Sequence, residues 1–110
     1  MSVKNNDIFM RLIVFFDLPV IKKDDRRIAA KFRKELLNEG FIMIQFSVYC
    51  RVCRGYDIVE REIRRIKNVL PPKGNIRILS VTEKQYGNML FLTGEPKNDE
   101  IIAAKQLLLF

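Results

Sequence analysis

Asp17 ends an apolar run, Leu12-Ile13-Val14-Phe15-Phe16, in a chain that contains no histidine. A carboxylate at the end of a buried strand loses hydration unless a cation, a metal or a hydrogen-bond donor compensates. One carboxylate holds magnesium weakly, but two Asp17 side chains brought together by a two-fold axis could share an ion that keeps several waters. Such a site would polarise a phosphodiester and activate water without an imidazole. The same side chain could instead close an Asx turn into Leu18-Pro19, and the residues alone leave both roles open. Lacking histidine, the chain has no Ser-His-Asp triad, His-ligated metal or imidazole proton shuttle. Most other acids have ordinary explanations. Asp24 and Asp25 suit a helix start, Asp57 with Arg61 and Glu60 with Arg64 are spaced as i,i+4 pairs, and Glu95, Asp99 and Glu100 fall in a polar linker.

The basic residues supply the second chemical theme. Lys and Arg number 20 against 13 Asp and Glu, a net charge of +7. Residues 21–54 carry nine bases and four acids, a net +5, whereas residues 1–20 are neutral and residues 81–110 are net −1. A basic middle favours polyanions. Lys22, Lys23, Arg26 and Arg27 open a helix close to Asp17, Lys31 continues its wet side with Lys34, and Arg77 lies in a later extended segment, which makes a candidate phosphate-binding set. A solvated helix face is the plain alternative, and Arg61, Arg64 and Arg65 have acid neighbours. Phe15, Phe16, Phe46 and Tyr49 could stack on bases, but core packing is the stronger expectation.

The elements that must position these groups follow from periodicity. Arg11 to Phe16 is a short run of β-branched and aromatic residues, hence a buried strand broken by Leu18-Pro19. Asp24 or Asp25 would cap a helix with apolar positions Ile28, Ala29, Phe32, Leu36 and Leu37, stopped by Gly40. Phe41 to Cys53 is extended, either two strands bending near Gln45-Phe46-Ser47 or one long strand. Asp57 would cap a second helix with the stripe Val59, Ile63, Ile66 and Leu70, ended by Pro71-Pro72 and Gly74. Ile76 to Val81 and Asn88 to Thr93 read as further strands.

That order suits a split β-α-β arrangement, an α+β class with both helices on one face of an antiparallel sheet. Leu12, Val14 and Phe16 then face one way and Ile13 and Phe15 the other, so the second face is too apolar to stay wet. A second copy related by a two-fold axis is the simplest cover. Residues 1–94 form the expected domain, and residues 95–110, ending in Leu107-Leu108-Leu109-Phe110, the expected tail that clips onto the second copy or a partner protein. Cys50 and Cys53 form a C-x-x-C with no further Cys or His to complete a zinc site. In a strand their odd separation sends them to opposite faces, which suits buried, reduced thiols. The first ten residues show no signal-peptide pattern and no uncharged run is long enough for a membrane span, as expected of a soluble globular chain.

Arg11 to Pro19, the basic helix up to Gly40, Ile44-Gln45-Phe46-Ser47-Val48-Tyr49 and Asn75 to Ser80 together resemble the small second CRISPR-associated protein family, which partners the CRISPR integrase. The likeness spans residues 9–94. It implies a ferredoxin-like βαββαβ sandwich with an extra C-terminal strand, forming a homodimer with sheet faces or edges packed across a two-fold axis. It further implies a role in spacer acquisition, as a Mg2+- or Mn2+-dependent endonuclease on RNA or duplex DNA and as a component of the integration complex. Asp17 matches the family's metal aspartate, Phe16 the aromatic before it (usually Tyr), Arg27 a basic residue on the first helix, Ser47 the motif serine and Tyr49 the following aromatic. Met43 stands where the family often has Arg. Two other functions differ in what they predict. A catalytically idle DNA scaffold would bind through Lys22 to Arg27, and a ligand-sensing dimer would carry a small-molecule pocket and ignore duplex.

Overall fold

The computed structural model describes residues 8–100. Seven elements follow one another: β1 (Phe9–Asp17), α1 (Lys23–Asn38), β2 (Ile42–Gln45), β3 (Val48–Arg54), α2 (Tyr56–Lys67), β4 (Asn75–Thr82) and the short α3 (Glu83–Gly87). The four strands form one sheet in the order β2-β3-β1-β4, with every neighbouring pair antiparallel. This is the ferredoxin-like order, with β1 and β3 inside. The expected α+β sandwich is therefore present.

The core sits between the sheet and the two long helices. Met10, Leu12, Val14 and Phe16 of β1 point into it and meet Phe32 and Leu36 of α1, Tyr49 and Cys53 of β3, and Val59 and Ile66 of α2. Phe32 is 2 % exposed, a burial worth roughly 2 kcal/mol on its own. Phe16 joins Phe32 edge-on at 5.3 Å and Tyr49 at 5.5 Å, so the aromatic next to Asp17 is fixed from both sides. Alternation sends Ile13 and Cys50 to the opposite face, while Cys53 stays in the main core. Both thiols are buried and free, as their odd spacing implies.

The bend in the second extended region is real. Gln45 and Val48 pair across a tight turn in which Ser47 adopts φ 61°, so Phe41 to Cys53 is two strands. Phe46 sits at the tip of this turn, 84 % exposed, and is not a core residue.

Several expectations are corrected. Asp24 and Asp25 occupy the first turn of α1 rather than capping it; Lys22 stands at the N-cap and offers no side-chain bond. Gly55, not Asp57, precedes α2, with φ 96°. That helix stops at Lys67, leaving Leu70 half exposed, because Pro71-Pro72 restrict the residues before them. The ion pairs Asp57–Arg61 and Glu60–Arg64 are absent among the described residues. Glu62, fully buried, instead faces Arg51, Arg61 and Arg65 at 3.5–3.6 Å, while Arg65 reaches Glu39 at 2.7 Å.

Asn88 to Thr93 does not form the expected fifth strand either. The segment is irregular, because the capping box of Thr82 and Gln85 starts α3 and turns the chain away from the β4 edge. The second sheet face is consequently less bare than periodicity suggests. Arg11, only 1 % exposed, binds Glu83 through two bonds of 2.5 and 2.9 Å, and its guanidinium lies 4.3 Å from the centre of the Tyr86 ring. Tyr86 donates its hydroxyl to Glu100 at 2.7 Å, which ties part of the expected tail to the same chain. Phe15, Leu79 and Leu90 stay exposed on or beside this face. Residues 101–110, including the leucine-rich end of the expected tail, lie outside the described part.

Candidate active site

Asp17 is the last residue of an inner strand and is exposed rather than buried. Expected dehydration of this carboxylate is therefore corrected: the strand ends where the sheet does, and the side chain emerges into water. By alternation it lies on the face of Ile13 and Phe15, away from the helices. Arg77, paired with Phe15 in the ladder, shares that face.

Backbone contacts fix this strand end on both sides. On the β3 side, the Phe16 N–H donates to the Ser47 carbonyl at 3.0 Å, and the positive φ of Ser47 is what brings that carbonyl round. On the β4 side, Asp17 pairs with Asn75 and the preceding Gly74 packs against it. A methyl group on Gly74 would lie 2.6 Å from the Asp17 carbonyl oxygen and 3.2 Å from the Leu18 Cα, so only glycine fits. Ser47 thus acts through the backbone, and Phe16 and Tyr49 act as core wedges behind the carboxylate.

The proposed phosphate contacts divide between two sides. Lys22, Lys23, Arg26, Arg27 and Lys31 are all exposed along α1, on the helix side of the sheet. Arg77 is also exposed but lies on the other face, so the structure does not gather the six into one patch. Arg26 is partly committed, since its guanidinium donates to the Val20 and Ile21 carbonyls at 3.2 and 2.7 Å and pins the loop that follows Asp17. Arg27 makes only a loose, exposed contact with Asp24 at 3.4 Å. Lys73 was not among the expected residues. It belongs with Lys22, because the Pro71-Pro72 stop places it beside the start of α1; a base between a proline pair and the glycine that opens β4 was the available signal.

Two further charged residues went unanticipated. Burial opposes the Arg11 charge, but hydrogen bonding and charge from Glu83 outweigh it and raise the guanidinium pKa. Burial also pushes the Glu62 carboxyl above its usual range, while the bond from Arg65 holds Glu39 below it. Both sites organise the fold and stand apart from Asp17.

Among the described residues no three His, Cys, Asp or Glu side chains form a cation cage. The donor set of one protomer at this strand end is Asp17 alone. It fits a hydrated hard cation only as half of a pair, with a second copy supplying the other carboxylate.

Fold and strand end together define a ferredoxin-like sandwich with one exposed carboxylate closing an inner strand. Residues 10–89 match the family model described as CRISPR associated protein Cas2. The chain is 47% identical over 102 residues to the CRISPR-associated endoribonuclease Cas2 of Acidovorax ebreus (strain TPSY), covering 92% of this chain and all of that one. It is 52% identical over 86 residues to the protein of the same name from Ligilactobacillus salivarius (strain UCC118), covering 78% of this chain and 85% of the relative. A solved structure described as "Crystal structure of cas2" superposes with a TM-score of 0.57 at 19% identity, covering 82% of this chain and 92% of that one, a likeness of fold. The chain belongs to the Cas2 family.

Proposed function

We propose that this chain is an endoribonuclease of the CRISPR adaptation machinery, hydrolysing phosphodiester bonds with Asp17 as its catalytic carboxylate. The observation that carries the reading is an exposed carboxylate locked at its backbone from both flanks, by the Ser47 carbonyl and by Gly74, in a chain whose relatives bear the name endoribonuclease. The working unit is a homodimer, because the strand end supplies one carboxylate per protomer and Phe15 and Leu79 leave apolar surface open on the Asp17 face.

In this dimer the two Asp17 side chains would hold Mg2+, or Mn2+, with water completing the shell. When bound, the cation supplies Lewis-acid polarisation of the phosphodiester. Lys22, Lys23, Arg27, Lys31 and Arg77 hold flanking phosphates, and Arg26 keeps the Val20-Ile21 loop in place beside them. Phe46, exposed at the adjacent turn, offers a stacking surface to an unpaired base. Met43 leaves no guanidinium on β2, so phosphate binding relies on α1 and β4. Duplex DNA and the CRISPR integrase are its further partners as a component of the spacer integration complex. Among the described residues no helix is long and apolar enough to cross a membrane, and the reduced, buried thiols suit the cytoplasm.

The test is cleavage of labelled single-stranded RNA across a magnesium titration, with Asp17→Asn in parallel. We expect at least a hundred-fold loss of cleavage in the variant, an unchanged melting profile and an unchanged dimer by sedimentation. Equal cleavage by both proteins removes the assignment.

A further inference from the structure

Directly after Asp17 the chain borders a cavity of about 270 Å³ between the start of α1 and the loop before β4. Its apolar walls are Leu18, Pro19, Ile28, Pro71 and Pro72, and the three prolines have little conformational freedom to lose when something packs against them. The volume lies just below the usual range for drug-sized ligands and is large enough for a nucleobase. Lys22 and Lys73 also line it, and so do Asp24 and Asp25. Among the described residues, the one ion pair these four groups enter is the loose Asp24–Arg27 contact at 3.4 Å. Two ammonium groups suit phosphate, but two carboxylates beside them disfavour a plain phosphate site. A ligand that combines phosphate with a hydrogen-bond donor satisfies both.

We propose that this cavity seats the nucleotide next to the scissile phosphate: its base lies against the proline walls, its phosphates meet Lys22 and Lys73, and its exocyclic amino group donates to Asp24 or Asp25. This rests on the reading of the chain as an Asp17-dependent ribonuclease. An ionised carboxylate only accepts hydrogen bonds, so it rewards the amino group of cytosine and repels the carbonyl oxygen that uracil presents at the same place. The site is therefore selective for an amino-bearing base, and cytosine against uracil is the cleanest comparison because the two differ little in shape.

The experiment uses the full chain and matched short RNAs that differ only in cytosine, uracil or an abasic residue on each side of the cut. One rim hydrogen bond corresponds to about a five- to ten-fold preference for cytosine in kcat/KM. The abasic substrate should be cut more slowly than either. In Asp24→Asn/Asp25→Asn the amides can donate as well as accept, so the preference should fall to within two-fold while cleavage persists. Lys73→Gln should raise KM with the cytosine preference intact. Wild type that ignores the base, or a preference that survives loss of both carboxylates, overturns the subsite and leaves the hydrolytic reading standing. Absence of any Asp17-dependent cleavage overturns both.

Discussion

Gly74→Ala tests whether the backbone around Asp17, and not only its side chain, sets the rate. The added Cβ would sit 2.6 Å from the Asp17 carbonyl oxygen, whereas ordinary contact begins near 3.4 Å. The Leu18 Cδ2, 2.8 Å away, can swing aside, but the Asp17 carbonyl oxygen is backbone, so the loop and the strand end must separate by roughly 0.8 Å. The native φ of +99° adds dihedral strain, and together the two effects should cost about 2 kcal/mol. For a domain of this size that lowers the melting temperature by roughly 10 °C. Misplacing a reacting group by a fraction of an ångström to 1 Å is expected to reduce kcat by about ten- to a hundred-fold. Gly94→Ala is the control: φ is +82° and no atom lies within 4 Å of the new Cβ, so it carries strain without collision. Thermal melts, with RNA cleavage assayed well below the transition, separate the two contributions. If Gly74→Ala cleaves at the wild-type rate, or if Gly94→Ala loses as much activity, the positioning argument is wrong.

Other residues give independent checks. Burial lifts the Glu62 pKa above its ordinary 4.5, so the folded state binds the extra proton and stability falls as pH rises from about 4.5 through the raised folded value. Urea denaturation should show wild type losing stability relative to Glu62→Gln across that window; a relative gain with pH would contradict the assignment. Arg11→Met leaves Glu83 without its partner and should destabilise by about 2 kcal/mol, while Arg11→Met/Glu83→Gln should recover part of the loss in a double-mutant cycle. Purely additive single effects would show that the pair is not coupled. Burial pushes the Cys50 thiol up to about 11, so disulfide reagents at pH 8 should label it only after unfolding, and rapid native labelling would count against a packed second face.

Much of this architecture was legible because alternation and helical spacing report burial directly. Leu12, Val14 and Phe16 against Ile13 assign the two faces of β1, and Phe32 with Leu36 assigns the inner side of α1. What failed were places where one interaction overrides a pattern. Asn88 to Thr93 has strand composition, but the Thr82–Gln85 capping box starts a helix first and leads the chain away from the open β4 edge. Arg11 looked like the polar start of a strand until Glu83, 72 residues away, made its burial tolerable. Glu62 likewise interrupts an apolar stripe whose logic depends on Arg51 and Glu39 from other elements. The place of Asp17 at a strand end was legible from its type and position, yet its exposure was not, because hydrophobic neighbours in sequence say nothing about where a sheet stops.

That exposure changes how the proposed site would engage a polyanion. Were Asp17 buried, its charge would need a partner from the same chain; exposed at a strand end, it tolerates solvent and waits for what binds. The basic residues on α1 lie to one side of the sheet, and Arg77 lies on Asp17's own side. A strand held by both groups must therefore pass over the end of the sheet, across Asp17, instead of running along either face. The Ser47 turn and the Gly74 loop flank that crossing, and each fastens the backbone of β1 at its final residues. On the proposed reading, positioning comes from the ladder and recognition from its rim, so substitutions on the rim should alter affinity and base preference, and substitutions at the two backbone contacts should alter turnover.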